Sequence, residues 1–244
     1  MTPPGSFRGS QRPESSKPGG KWLSRPAHVA ILVFVSSVIL AAGLIWRLEA
    51  YRLHQARHLA AILAAERAYT IQTSIDHVLS ATYTLAAMLQ QGKGVIPDFE
   101  RTAGRLLRFY PGAAALQLAP GGVIQQVVPR AGNEQAIGHD LLHDPERDKE
   151  ALRARDSGQL MLAGPFDLRQ GGRGAAGRLP VFLDQEQGKE TFWGFAIVLI
   201  AFPAALAPAQ LHELPERGYA YELSRQHPDS GDKQVISAST IAPL

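Results

Sequence analysis

GHDLLHDPERDKEALRARDSGQLMLAGPFDL, residues 138–168, sets a charged helix between two His-Asp steps and an apolar strand. Asp144 followed by Pro145 has the form of an N-cap and first-turn proline, and Gly158 closes the helix after ALRARDS. QLMLAGPF, residues 159–166, then reads as a strand. Strands dominate outward from there. AAALQLA (113–119) and VIQQVV (123–128) flank Pro120-Gly121-Gly122 as a hairpin. LPVFL (179–183) and TFWGFAIVLIAF (191–202) read as strands, and YAYELSR (219–225) pairs with KQVISAS (233–239) across HPDSGD. Between them RQGGRGAAGR (169–178) reads, by its glycines, as a flexible loop covering a pocket. Asp98 caps a short helix, FERTAGRLLRFY, that puts Phe99, Ala103, Leu106 and Tyr110 on one side. The pattern is α+β, with short helices among antiparallel strands.

N-terminal to these elements the chain changes character. Residues 27–46, AHVAILVFVSSVILAAGLIW, contain no Lys, Arg, Asp or Glu, and 20 helical residues span roughly 30 Å, the thickness of a bilayer core. Trp22 and Trp46 bracket the span as interfacial aromatics. Arg8, Arg12, Lys17, Lys21 and Arg25 place the N-terminal tail in the cytoplasm by the positive-inside rule, although Arg47, Arg52 and Arg57 on the other flank reduce the asymmetry. The apolar run continues past Leu40-Ala41-Ala42-Gly43 to Trp46, which favours an uncleaved anchor over a signal peptide. After Trp46 no Gly or Pro occurs before Gly92, so a stalk helix of roughly 65 Å is expected. Ile71, Ile75, Val78, Thr82, Leu85 and Leu89 follow spacings of 4, 3, 4, 3 and 4, a stripe that serves either the helix's own domain or a parallel homodimer seam.

Hydrophobic residues at 45% and charged ones at 19% of 244 residues describe a folded protein. The formal net charge of +3 resides in the tail, whose five basic residues face one Glu14, so the remainder lacks the basic patch of a nucleic-acid binder. Zero cysteines exclude disulfides, thiolate nucleophiles and Cys-ligated metals. His139, Asp140, His143 and Asp144 raise the possibility of a metal site, and hence of an anchored metallohydrolase, but the Asp144-Pro145 helix start separates them from a single helical face and no third ligand is close in sequence. No serine sits in a G-x-S-x-G frame, and the 169–178 glycines lack a G-x-x-x-x-G-K-[ST] pattern. No catalytic residue, metal or cofactor is expected.

Several ordered motifs carry a resemblance. They are Leu116-Gln117-Leu118-Ala119-Pro120-Gly121-Gly122-Val123, Gly132-Asn133-Glu134, Gly138-His139-Asp140-Leu141-Leu142, and Ala154-Arg155 with Ser157-Gly158. Ala163-Gly164-Pro165-Phe166, Gly177-Arg178-Leu179-Pro180-Val181-Phe182 and Phe192-Trp193-Gly194-Phe195 follow. Over roughly residues 110–200 the chain resembles the CHASE domain, the extracellular sensory module of membrane-bound histidine kinases and diguanylate cyclases. The resemblance implies a stalk helix that dimerises, tandem PAS-like lobes with ligand in the membrane-distal one, a second membrane helix and a cytoplasmic output domain. The plant cytokinin receptors are similar in the block running from Asp140 to Phe166, and the resemblance makes Asp140 the carboxylate that recognises a ligand's N–H groups, with Leu162 lining the pocket. This chain departs from them in Gly164-Pro165-Phe166 and in the glycines at 171 and 172.

The expected organisation is a disordered basic cytoplasmic tail (1–26), a transmembrane helix (27–46), a stalk and dimerisation helix (47–95), a membrane-distal PAS-like lobe (96–186) and a membrane-proximal lobe (187–244). The last stops at Leu244 before its remaining strands, as in a piece of a longer receptor or a truncated product. The expected ligand site is Asp140, Leu162, Gly164, Phe166 and Arg169 with the 169–178 loop. The expected function is an extracytoplasmic small-molecule sensor region in the inner membrane, homodimeric and without nucleic-acid partners. A single-pass periplasmic adaptor that binds another protein is the alternative.

Overall fold

The computed structural model describes residues 24–143, 148–168, 172–184, 188, 190–227 and 230–239. Residues 1–23 of the basic tail, the Asp144-Pro145 helix start and Arg169 therefore lie outside the described residues. The first helix, α1, runs Ser24–Gln91, and the chain divides into two compact units, residues 1–59 and 60–244. In the first unit every residue from His28 to Leu59 is exposed, including Val33, Phe34, Ile39 and Leu40. Its apolar window is long enough to cross a membrane and is covered by no protein.

In the second unit α1 ends where the glycines come. The Gly92 N–H bonds the Met88 carbonyl at 2.8 Å and the Gly94 N–H bonds the Leu89 carbonyl at 2.7 Å, which satisfies carbonyls left free by the last turn. Asp98 caps α2 (Phe99–Leu106), accepting from the Arg101 N–H, and Phe99 and Ala103 are buried as their spacing demands.

Five strands follow: β1 (Ala113–Pro120), β2 (Gln126–Val128), β3 (Met161–Asp167), β4 (Arg173–Asp184) and β5 (Glu190–Ala201). They form one antiparallel sheet in the order β2-β1-β5-β4-β3. The helix α3 (Asp148–Ser157) precedes β3 and closes at Gly158, whose N–H bonds the Ala154 carbonyl. Two short helices, α4 (Phe202–Leu206) and α5 (Glu213–Glu216), lead to a separate hairpin of β6 (Glu222–Gln226) and β7 (Lys233–Ala238). β5 pairs with both β4 and β1, so one sheet takes its strands from both sides of residue 187, where the lobe boundary was expected.

The expected loop 169–178 is in large part strand, because β4 begins at Arg173 and passes through Gly174 and Gly177 without a break. Gly177 is there for contact rather than for flexibility. A Cβ on it would stand 2.3 Å from Leu79 Cδ2 of α1, so its absence lets helix and sheet close together.

Period-2 alternation gives the sheet two faces. Leu116 and Leu118 of β1, Ala175 and Val181 of β4, and Ala196, Val198 and Ile200 of β5 join Val78, Ala81, Leu85 and Leu89 of α1 in one buried cluster. The stripe on α1 is thus consumed by its own domain: Ile71, Val78, Thr82, Leu85 and Leu89 are all buried, and Ile75 packs against the same cluster. Hydrogen bonds fix the docking, from Ser74 Oγ to the Ala205 carbonyl at 2.7 Å and between Thr84 Oγ1 and the Tyr110 hydroxyl at 3.0 Å.

Candidate functional site

The opposite face of the sheet is built from the intervening residues. Ala119 of β1, Ala176 of β4, and Phe195 and Ile197 of β5 join Ile124, Leu141 and, from α3, Ala151 and Ala154. Phe192 and Phe195 meet edge-on, 5.1 Å between ring centres. Beside this cluster lies a cavity of about 70 Å³. Its floor is Gln117 of β1, Ala176 and Arg178 of β4, and Ile197 and Leu199 of β5. Phe166, Asp167 and Leu168 close one side, and Ile124 with Asn133, Gln135, Ala136, His139 and Leu141 form the roof.

The roof is pinned by the backbone. Ile124 N–H bonds the His139 carbonyl at 3.0 Å, Gly138 N–H bonds the Ile124 carbonyl at 2.8 Å, and Leu141 N–H bonds the Gly122 carbonyl at 2.9 Å. Asn133 joins in through its side chain, whose Nδ2 donates to the Pro129 carbonyl at 2.9 Å. A wall made of loop and one short 3-10 turn, Glu134–Ala136, is thereby held over the sheet.

A bulge supplies Phe166. Ala163 pairs with Ala176 but Phe166 pairs with Gly174, so β3 spends one residue more than β4 over this interval. That extra residue returns Phe166 to the face that carries Ala176 and Arg178, where simple alternation would have put it on the other side. Gly164, at φ +117°, adopts a backbone conformation that side chains disfavour and makes the bulge possible.

Among the described residues four polar side chains are buried: Thr82, Gln117, Asn133 and Arg178. The last three line this one cavity, amid Ile124, Leu141, Phe166, Ile197 and Leu199. Arg178, 3% exposed, is the charged member, while the Asp167 carboxylate at the rim is 91% exposed and lies 3.8 Å from Arg173. A mostly apolar cavity with a few converging polar groups is the usual form of a small-molecule site.

The sequence-derived site residues are only partly brought together. Phe166 lines the cavity. Gly164 shapes the bulge beneath it, and Leu162, paired with Gly177, is 39% exposed and outside the lining. Asp140 stands between two lining residues, His139 and Leu141, without lining the cavity itself. Its Oδ1 accepts the Leu142 N–H and its Oδ2 meets His143 Nδ1, each at 2.9 Å, so both oxygens serve the roof loop. The Leu142 N–H first, and then the His143 ring, hold the Asp140 carboxyl below its ordinary value of 3.8. Among the described residues no group of three His, Asp or Glu side chains could hold a metal ion. Gln117 and Asn133 stand in the resembling motifs without a signal of their own, whereas Arg178 is one of three arginines, with Arg169 and Arg173, around the 169–178 segment that could meet an anionic ligand but read more simply as solvated loop residues. The signal available was strand alternation carried through Arg173–Asp184, which puts Arg178 on the face of Ala176 and Pro180.

A second cavity of about 340 Å³ lies between α4 and the β6–β7 hairpin, lined by Phe202, Leu206, Leu211, His212, Tyr221 and Ile236 among others. None of the four buried polar residues reaches it.

No curated protein matches the chain. Among solved structures an extracellular ligand binding receptor from Desulfohalobium retbaense DSM5692 is similar at 19% identity and a TM-score of 0.49, over 60% of this chain. The similar part spans about a quarter of that receptor's length, 26%. The sequence pattern of the CHASE domain matches residues 84–233, well over half of the chain and all five strands of the sheet around the cavity. The chain belongs to the CHASE domain family.

Proposed function

We propose that this chain is the extracytoplasmic sensor region of a transmembrane signalling receptor and binds a small molecule in the cavity between Arg178 and the 133–141 roof. The observation that carries the reading is the convergence of Gln117, Asn133 and Arg178, three of the four buried polar side chains among the described residues, on one apolar cavity. On this reading Phe166 and His139 contact ligand, and Asp140 is a positioning residue that holds His139 and Leu141 in place. The five-stranded sheet is the membrane-distal, PAS-like lobe, and the chain itself is a sensor and not a catalyst.

Alternation then supplies the route from ligand to helix. Gln117, Arg178 and Ile197 face the cavity, while their chain neighbours Leu116, Gly177 and Val198 face α1. A close-packed interior shifts as a unit rather than deforming smoothly, so closure on a ligand moves the sheet against α1. The N-terminal tail is cytoplasmic on the strength of its five basic residues. Dimerisation, if through the stalk, uses residues outside the consumed stripe, such as Ile62, Tyr69 and Tyr83, which are exposed at spacings of 7 and 14.

The test is a thermal-shift titration of the full chain in detergent against adenine derivatives, amino acids and small organic acids, with Ala176→Val as control. A ligand at 100 times its Kd adds about 2.7 kcal/mol to stability. A saturable shift that Ala176→Val abolishes supports the site; silence across the panel in a folded protein overturns it.

A further inference from the structure

Resting on that reading, we infer that the ligand is a small primary amide of two or three carbons, paired with the side-chain amide of Gln117. Of the four buried polar side chains among the described residues, Thr82 donates to the Leu79 carbonyl at 2.7 Å, Asn133 donates to the Pro129 carbonyl at 2.9 Å, and Arg178 has an interaction of its own within the protein. Gln117, 2% exposed on β1 and lining the cavity, makes no side-chain hydrogen bond among the described residues. Its amide carries two N–H donors and a carbonyl acceptor. Leaving such a group buried and unpaired costs more than a typical hydrogen bond contributes. A molecule that enters the cavity with a matching donor and acceptor removes that cost.

Small residues make the space beside it. Gln117, Ile197 and Arg178 stand side by side across β1, β5 and β4, and the next row on the same face is Ala115, Leu199, Ala176 and Ala163. Three alanines in that row leave volume that longer side chains would fill. A cavity of 150 Å³ accommodates benzene, with six heavy atoms, and this one measures about 70 Å³. Acetamide and propionamide, with four and five heavy atoms, are on that scale, whereas adenine with ten is far beyond it. Polarity then decides the class. Two carboxamides face to face form two N–H···O=C bonds at once, so a ligand amide satisfies Gln117 as donor and as acceptor. A primary amide has one N–H left over, and Asn133 in the roof, its Nδ2 committed to Pro129, offers its Oδ1 as acceptor. A carboxylate brings no donor and sets its charge against the Gln117 carbonyl, while an ammonium brings no acceptor. The lining asks for no ligand charge, since Arg178, His139 and Gln135 each have an interaction within the protein and Asp167 lies beside Arg173 at the rim. Phe166, Ile197 and Leu199 receive the short alkyl group.

The experiment is calorimetric titration of the full chain in detergent with propionamide, with propionate and propylammonium of similar size, and with adenine, on wild type, Gln117→Leu and Ala176→Val. Propionamide should bind wild type, Gln117→Leu should weaken it about 30-fold, the ratio expected when two neutral hydrogen bonds are lost, and Ala176→Val should abolish it. Propionate and propylammonium should bind wild type at least about tenfold more weakly than propionamide. A second readout needs no ligand. The melting temperature of Gln117→Leu should equal or exceed that of wild type, because an apolar side chain of similar size removes an unpaired buried amide. A clear fall in that temperature would show Gln117 bonded within the fold and overturns the inference. So does propionamide that is silent, that binds wild type no better than propionate does, or that binds Gln117→Leu as well as wild type. Propionate, propylammonium or adenine binding that Ala176→Val removes, with propionamide silent, overturns the amide and leaves the sensor reading standing. Binding of any probe that survives Ala176→Val moves the ligand out of this cavity and overturns both.

Discussion

The two faces of the five-stranded sheet are made of alternate residues of the same strands, yet one is sealed and the other is not. On the α1 face Leu116, Val198 and Ile200 meet Val78, Leu85 and Leu89, with no charged residue in the cluster and each of these side chains fully buried. On the other face Gln117, Arg178 and Ile197 surround about 70 Å³ of unfilled space. Native cores leave few voids larger than a water molecule, and an unfilled volume beside a buried guanidinium gives up packing energy that Leu and Ile at those positions would supply. The difference teaches a division of labour: cohesion with the stalk on one face, an open cavity on the other.

The strongest way to break the comparison is to open a hole on the sealed face. Leu85→Ala removes a fully buried side chain from the α1 cluster and should cost about 2–5 kcal/mol. Denaturant unfolding followed by circular dichroism should show a lower midpoint at unchanged m, and a loss under 1 kcal/mol would mean that α1 and the sheet are not one core.

Gly177 is where the faces touch most directly. Gly177→Ala places a methyl group 2.3 Å from Leu79 Cδ2 and 3.2 Å from Val198 Cγ1, an overpacking worth about 1–3 kcal/mol. The cost should fall by more than half when Gly177→Ala is combined with Leu79→Ala relative to Leu79→Ala alone, a positive coupling in the double-mutant cycle. Independent, additive effects would contradict the close approach.

Filling the open face should do the reverse of emptying the sealed one. Ala176→Val sends two methyl groups toward the cavity from a strand position that favours β-branched residues. Stability should change by no more than about 1.5 kcal/mol while ligand-induced thermal shifts disappear. A destabilisation as large as that of Leu85→Ala would show that the cavity face is as tightly packed as the other.

This contrast explains what the sequence made legible. Elements marked by strong local chemistry were found in place: the Asp98 cap, the Pro120-Gly121-Gly122 hairpin, the Gly158 stop and the apolar β5. The stripe on α1 was visible too, although nothing local tells an intramolecular core from a dimer seam, since both ask for the same residues. The site was less legible because its signals are tertiary. Glycines at 174 and 177 look like a loop until a helix is known to press on the strand, and the loop reading then carries Arg178 to the surface with it. Phe166, expected near the pocket, lines the cavity, and the bulge that turns it inward appears only in the register with β4. Asp140 drew attention as an acidic group beside a histidine, while the cavity is lined by its neighbours His139 and Leu141, which alternation at the Val123–Asp140 bridge turns the other way.

The smallest expected effect concerns that residue. The Leu142 N–H and the His143 ring hold the Asp140 carboxyl below 3.8, so its carboxylate contributes stability that is fully present above that value and is lost as pH falls through the lowered one. Asp140→Asn keeps an acceptor for the Leu142 N–H but not the charge. The melting temperature of wild type should therefore exceed that of Asp140→Asn by a small margin at about pH 5, and the margin should shrink as pH falls below about pH 4. On the proposed reading, in which Asp140 acts through the roof loop, the ligand-induced thermal shift at pH 7 should be nearly the same in both. A margin that persists at acid pH would remove the carboxylate from the loop's stability, and a ligand-induced thermal shift that Asp140→Asn abolishes as fully as Ala176→Val would make Asp140 a ligand contact after all, extending the open face of the sheet beyond the cavity lining.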